Sequence, residues 1–181
     1  MARTPVPEAQ LVDSEVGRKP EGDGWFVVNI ADAAAFGFDD NQYGFIFEGG
    51  LRAGFPHFGI NVRVLGPGNP GSMYHAESGQ EAYLVLDGEA VLVVEDEERT
   101  LKKWDFVHLP PNTAHVLAGA GDGPCVVLMV GARNAGTDLV FPASEAAAKY
   151  GASVEKDTSD RQQAYSGWPA PEARRYPWPP R

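Results

Sequence analysis

Between Phe58 and Gly131 apolar and polar side chains alternate with a period of two, and turn signals interrupt the alternation every few residues. Such patterning marks strands with one face buried. The run FGINVRVL (58–65) reads as a strand closed by the turn cluster GPGNPG. Short strands are then predicted at 73–77, 81–87, 90–95, 98–101, 105–109, 113–118 and 124–131. Between them lie Ser-Gly, Asp87-Gly88, the acidic EDEE, Lys-Lys, Pro-Pro-Asn and GAGDG. Asp-Gly between two alternating runs is a strong hairpin signal, because both central residues of the tight turn need positive φ. Many short strands at this spacing predict an all-β chain, a sandwich or barrel of jelly-roll type.

The flanks read differently. Residues 1–24 mix Pro, Glu, Gly and Lys without periodicity and are expected to form an N-terminal arm, disordered or draped over a neighbour. WFVVNI (25–30) reads as a short strand and ADAAAF as one helical turn. The Gly- and aromatic-rich segment 37–56 reads as a flap over an opening, with a short strand at Phe45–Phe47. PASEAAAKYG (142–151) has Ser144 as N-cap and Gly151 as C-cap of a short helix, and 157–165 predicts another. The last thirteen residues hold five prolines together with Tyr176 and Trp178, which forbids regular helix. This tail is expected to pack on its own or a partner subunit, because large aromatics gain from burial. The expected division is an arm at 1–24, a barrel at 25–133 and a C-terminal extension at 134–181.

Charge narrows the partners. A net charge of −10 argues against nucleic acid and against anionic membrane surfaces. No apolar run reaches the roughly 18–20 residues of a membrane span, and MARTPVPEAQ lacks the apolar stretch of a secretory signal; a cytoplasmic protein is the default. The lone Cys125 lies at the edge of VVLMV and reads as a buried small hydrophobe. Runs such as AVLVVE and VVLMV are apolar on both faces, which together with the aromatic tail predicts a homodimer.

The chemistry concentrates between Tyr74 and His115, which holds three of the four histidines. His75 and Glu77 stand at i and i+2 of a strand and point the same way. The turn SGQ then returns the chain with Glu81 at the start of the next strand, on the same face as Tyr83. If Glu81 faces inward, three donors converge, and His115 follows PPNTA as a fourth. Mixed imidazole and carboxylate donors suit Fe, Mn, Ni, Co, Cu or Zn better than Ca. A buried Glu81 without a cation would be costly. The competing reading makes His75 and His115 hydrogen-bonded core residues and Glu77 a solvated rim residue. Asn61 and Arg63 share a face of their strand and, if inward, would anchor a carboxylate or hydroxylated ligand; Tyr83 would line the same pocket. His108 and His57 read as packing and loop residues. No G-x-S-x-G and no phosphate loop occurs.

These residues resemble the cupin superfamily, single-domain type, whose motifs run G-x5-H-x-H-x3/4-E-x6-G and G-x5-P-x-G-x2-H-x3-N. His75-Ala-Glu77-Ser-Gly-Gln-Glu81 keeps the first spacing with Gly88 in register, and WDFVHLPPNTAH keeps Pro110 and His115 of the second. The resemblance covers about residues 58–131. It implies a jelly-roll barrel with a metal site at its mouth, held by His75, Glu81 and His115. Glu77 replaces the usual second histidine, Trp104 and Asn112 replace glycines, and Gly119 replaces the closing asparagine. Glu77 is expected either as a fourth ligand of one divalent transition metal or as a free general base. The expected function is a metal-binding cupin acting on a small organic molecule, with dioxygenase or isomerase-type chemistry. The alternative is a non-catalytic small-molecule-binding or sensing cupin.

Overall fold

In the computed structural model the described residues are 3–48, 54–133 and 138–180. Fourteen strands and two short helices follow in the order β1 (Gln10–Ser14), β2 (Gly17–Glu21), β3 (Ala34–Asp39), β4 (Gln42–Ile46), β5 (Phe58–Leu65), β6 (Ala76–Glu77), β7 (Glu81–Asp87), β8 (Glu89–Val94), β9 (Glu97–Lys102), β10 (Phe106–Leu109), β11 (His115–Ala120), β12 (Cys125–Ala132), β13 (Leu139–Val140), α1 (Glu145–Ala148), α2 (Arg161–Ala164) and β14 (Glu172–Ala173). A seven-stranded sheet has the order β10-β7-β12-β5-β4-β3-β14, and a three-stranded sheet the order β11-β8-β9. All pairings between these strands are antiparallel, giving an all-β, jelly-roll sandwich.

Alternation along the strands fills the space between the two sheets. Leu65, Tyr83, Val85 and Val127 of the large sheet meet Ala90, Leu92, Leu101 and Leu117 of the small one. Cys125 is fully buried in this layer, where desolvation pushes its thiol up to about 12, so it packs as an inert apolar group.

The outer faces are covered as well. Val62, Val64 and Val126 pack with Tyr43, Phe45, Ala35 and Tyr176, and Val93 and Val116 pack with Tyr74, Ala146 and Ala147. The strands that read as apolar on both faces are therefore covered by the chain's own flanking segments. Tyr176 stacks on Tyr43 at 4.8 Å between ring centroids, and Trp178 meets Phe45 edge-on at 5.5 Å. The Pro-rich tail thus packs on its own chain, and Glu172–Ala173 adds an edge strand to β3.

Four flanking expectations are corrected. The segment expected as a disordered or draped arm folds into the β1–β2 hairpin and hydrogen-bonds to Trp25 and Asp32. WFVVNI forms no strand; Trp25 and Val27 are exposed, while Val28 and Ile30 pack on the outer cluster. ADAAAF is not a helical turn, because Ala34–Asp39 pairs with β4 and its alanines pack under Tyr43 and Phe45. The flap expected at 37–56 is largely sheet, since β3 and β4 run through it; residues 49–53 lie outside the described residues. The helix at 142–151 is shorter than expected but starts as predicted, with Ser144 Oγ accepting from the Ala147 amide at 3.0 Å.

Two positions where the sequence departs from the glycine pattern keep a left-handed backbone, with φ of 76° at Trp104 and 65° at Asn112. Asparagine tolerates this region and tryptophan does not. Since Trp104 is 66% exposed, Trp104→Gly sheds strain while losing little packing. The expected result is a gain of about 1 kcal/mol, read from urea unfolding; a loss of that size would show that the indole packs more than its exposure implies.

Candidate metal centre

Two half-sites remote in sequence meet through a single antiparallel bridge. The His75 amide donates to the His115 carbonyl at 3.1 Å, and the His115 amide to the His75 carbonyl at 2.8 Å. This pairing sets the two imidazoles side by side, with ring centroids 4.7 Å apart. Each ring is then oriented by a carbonyl two residues upstream. His75 Nδ1 lies 2.8 Å from the Met73 oxygen and His115 Nδ1 lies 2.9 Å from the Thr113 oxygen. A carbonyl can only accept, so each Nδ1 carries the hydrogen and each Nε2 presents its lone pair inward.

Glu81 supplies the third donor from the first position of β7, which pairs with Leu109 on one side and Gly131 on the other. Its Oε2 lies 2.8 Å from His115 Nε2 and 3.9 Å from His75 Nε2. The same oxygen is buried and, His115 aside, has no hydrogen-bond partner among the described residues. Ligand atoms of His75, Glu81 and His115 all lie within 4.8 Å of one another. Tyr83, two residues along the same face, places its hydroxyl 2.7 Å from His115 Nε2 and 3.3 Å from Glu81 Oε1, and its single hydrogen serves one of the two at a time.

The electrostatics follow from this packing. Burial, then the neighbouring His115, lowers the His75 pKa and favours its neutral, ligating form. Burial alone would raise Glu81, but a proton carried on the His115 imidazole is donated to it and, with the charge on the neighbouring rings, holds it below the usual carboxylate range; a bound cation would take the place of that proton. Burial and then Glu81 raise Glu77. Tyr83 is raised well above its ordinary value, first by burial, and stays a phenol that donates.

Of the residues singled out in the sequence, His75, Glu81 and His115 come together. Glu77 stands on the wall of the same cavity without joining the group of three. Tyr83, Arg63 and Asn61 line this cavity too, which measures about 320 Å³. His108 and His57 lie exposed and away from it. The sequence reading did not foresee Phe36, Arg161, Tyr165 and Trp168, which wall an adjoining cavity of about 430 Å³ that also touches Arg63, His75 and Glu77. Tyr165 and Trp168 in the C-terminal extension, and Phe36 beside the aromatic-rich 37–56, were the available signal, which did not say where those segments return to the barrel.

A buried carboxylate oxygen without a donor, facing two imidazole lone pairs, fits a divalent cation held by two nitrogens and one oxygen. Fold and donor set together define a small β-barrel domain with a candidate metal centre at one end. Residues 61–131 match the family model described as a Cupin domain. An uncharacterized protein from Methanocaldococcus jannaschii is 29% identical over 51 residues, 28% of this chain and 41% of that protein. The chain thus spans less than half the length of this curated relative. A candidate sugar phosphate isomerase from Acidithiobacillus ferrooxidans is 29% identical, with 54% of this chain and 63% of that one covered and a TM-score of 0.46. A polyketide cyclase from Streptomyces resistomycificus is 15% identical over 59% of this chain and 78% of that one, with a TM-score of 0.49. No described helix is long and apolar enough to cross a membrane.

Proposed function

We propose that this cupin is a metal-dependent enzyme acting on a small organic molecule bound beside His75, Glu81 and His115. The observation that carries the reading is the convergence of two Nε2 lone pairs and the donorless Oε2 of Glu81 in a largely buried site. Without a positive charge these groups repel one another, and the carboxylate exchanges its hydration for little more than one long contact with the Tyr83 hydroxyl. Three protein ligands leave open positions toward the cavity, the hallmark of a catalytic rather than a structural site. A divalent transition ion there would supply Lewis acidity or an oxygen-binding centre, the chemistry of isomerase or dioxygenase type.

The protein groups divide the remaining work. Tyr83 holds His115 and Glu81 in place through its hydroxyl. Glu77, beside the site and raised by burial, retains its proton to higher pH than a surface glutamate and can pass it to or from a substrate atom at its carboxylate. Arg63 and Asn61 orient the substrate from β5, two strands along the same sheet from β7.

Cobalt substitution tests this reading. Chelator-stripped protein is expected to take up about one Co(II) per chain, as in a single three-ligand site, with a visible spectrum that changes when azide is added. A spectrum indifferent to azide would indicate a saturated ion and favour the non-catalytic, ligand-sensing role; no uptake would overturn the metal site. Glu77→Gln is expected to bind cobalt within about twofold of wild type yet lose at least about 100-fold in turnover once a substrate is in hand. A loss of cobalt in that variant would make Glu77 a ligand instead.

A further inference from the structure

Arg63 is the one site residue whose surroundings the metal does not explain. Its position follows from the register across three strands, in which Phe36 faces Gly44 and Gly44 faces Arg63. A Cβ at Gly44 would lie 2.8 Å from Arg63 Cδ and 3.2 Å from Nε, so the bare glycine lets the side chain lie flat across β4. The guanidinium thereby comes to rest 4.6 Å from the centroid of the Phe36 ring. Stacking uses the face of the guanidinium and leaves its edge of N–H donors free. Among the described residues Arg63 has no ion pair and no hydrogen bond. Two residues earlier on the same face, Asn61 Oδ1 is likewise buried without a partner.

Both residues border the cavity of the metal site, and Arg63 also borders the adjoining cavity. That second chamber is closed by the C-terminal extension. Trp168 meets Phe38 and Tyr165 edge-on, each at 5.3 Å, and Phe36, Leu139 and Phe141 complete an apolar wall. Such a wall offers a polyhydroxylated molecule few hydrogen bonds, whereas a flat ring is accommodated well. Charge selects further. Arg63 and Arg161 attract an anion, but Glu77 stands in both chambers and Glu81 in the first, which disfavours a dianionic phosphate more than a monoanion.

We propose that the joined chambers bind an aromatic carboxylate, its carboxylate paired with the guanidinium edge of Arg63 and its ring against Phe36 and Trp168. This rests on the reading of the pocket as the active site and names its substrate class. The carboxylate matches the guanidinium edge through two parallel hydrogen bonds.

Fluorine NMR titration of 4-fluorobenzoate into the full-length protein tests the proposal, with benzamide and glucose 6-phosphate as probes lacking the charge and the ring. Saturable binding of 4-fluorobenzoate is expected, weakened at least about tenfold in Arg63→Gln and in Trp168→Ala and partly retained in Arg63→Lys. Thermal melts of each variant identify any that fails to fold, and the remaining variants still decide the matter. Equal or tighter binding of benzamide or glucose 6-phosphate overturns the proposal, as does unchanged affinity in folded Arg63→Gln. Manganese binding, read by electron paramagnetic resonance on the same samples, separates the two readings. Fluorobenzoate binding without manganese uptake upholds the aromatic site and sinks the metal centre, and the reverse sinks the aromatic site alone.

Discussion

Glu81→Ala is expected to leave a folded chain that no longer retains metal. Wild-type protein purified without chelator is expected to carry close to one transition ion per chain. The variant loses the only anionic ligand of the group and with it at least about two orders of magnitude in affinity, beyond the roughly 10–100-fold typical of losing a supporting residue. Elemental analysis of both proteins reads this directly. A thermal melt gives an independent sign. Because the ion binds the folded chain and not the unfolded one, added metal raises the wild-type melting temperature and leaves that of Glu81→Ala unmoved. Equal metal content in the two proteins would mean that the ion sits elsewhere.

How far this site could be read from the sequence depends on what fixes each residue. Glu81 and Tyr83 were legible because strand parity alone puts them on one face, and the Asp87-Gly88 turn fixed where that strand ends. His75 and His115 were legible as spaced motif residues, but the bridge that joins them is an isolated pairing between His115, at the start of β11, and His75, which lies just before β6: only Ala76–Glu77 is a strand where 73–77 was expected. Arg63 could be placed on one face with Asn61, with inward and solvent-facing both open, and its resting place over Gly44 and against Phe36 depends on the register of three strands. Local propensity misled at ADAAAF, where alanine's preference for helix gives way to pairing with β4 and β14. The same limit explains the outer faces. Apolar residues on both sides of AVLVVE read as a face awaiting a second subunit, whereas α1 and Tyr74 cover Val93 from within the chain. Cover supplied by residues distant in sequence leaves no periodic trace in the strand it protects.

The contact between that distant cover and the barrel is tested most sharply at Phe141. Its side chain is 1% exposed and packs with Met73 and Ala164. Its backbone exchanges two hydrogen bonds with Thr158, at 2.8 and 3.1 Å. The ring meets Tyr165 edge-on at 5.8 Å and lies 6.3 Å from the His75 ring. One side chain thus ties the 158–165 segment, which carries Arg161 and Tyr165, to the segment bearing Met73 and His75. Phe141→Ala removes a large buried ring from a site framed by hydrogen-bonded backbone that cannot collapse fully around the gap, so a loss of about 3–4 kcal/mol is expected in urea unfolding. Phe141→Leu keeps most of the volume and is expected to cost under about 1.5 kcal/mol. The functional consequence follows from position. Metal content in Phe141→Ala is expected to survive, because both histidine rings keep their carbonyl partners, while 4-fluorobenzoate binding weakens as the Tyr165–Trp168 wall loosens. A cost below about 1 kcal/mol, less than cavity formation at a buried phenylalanine produces, would show that the extension does not depend on this ring for its attachment to the barrel.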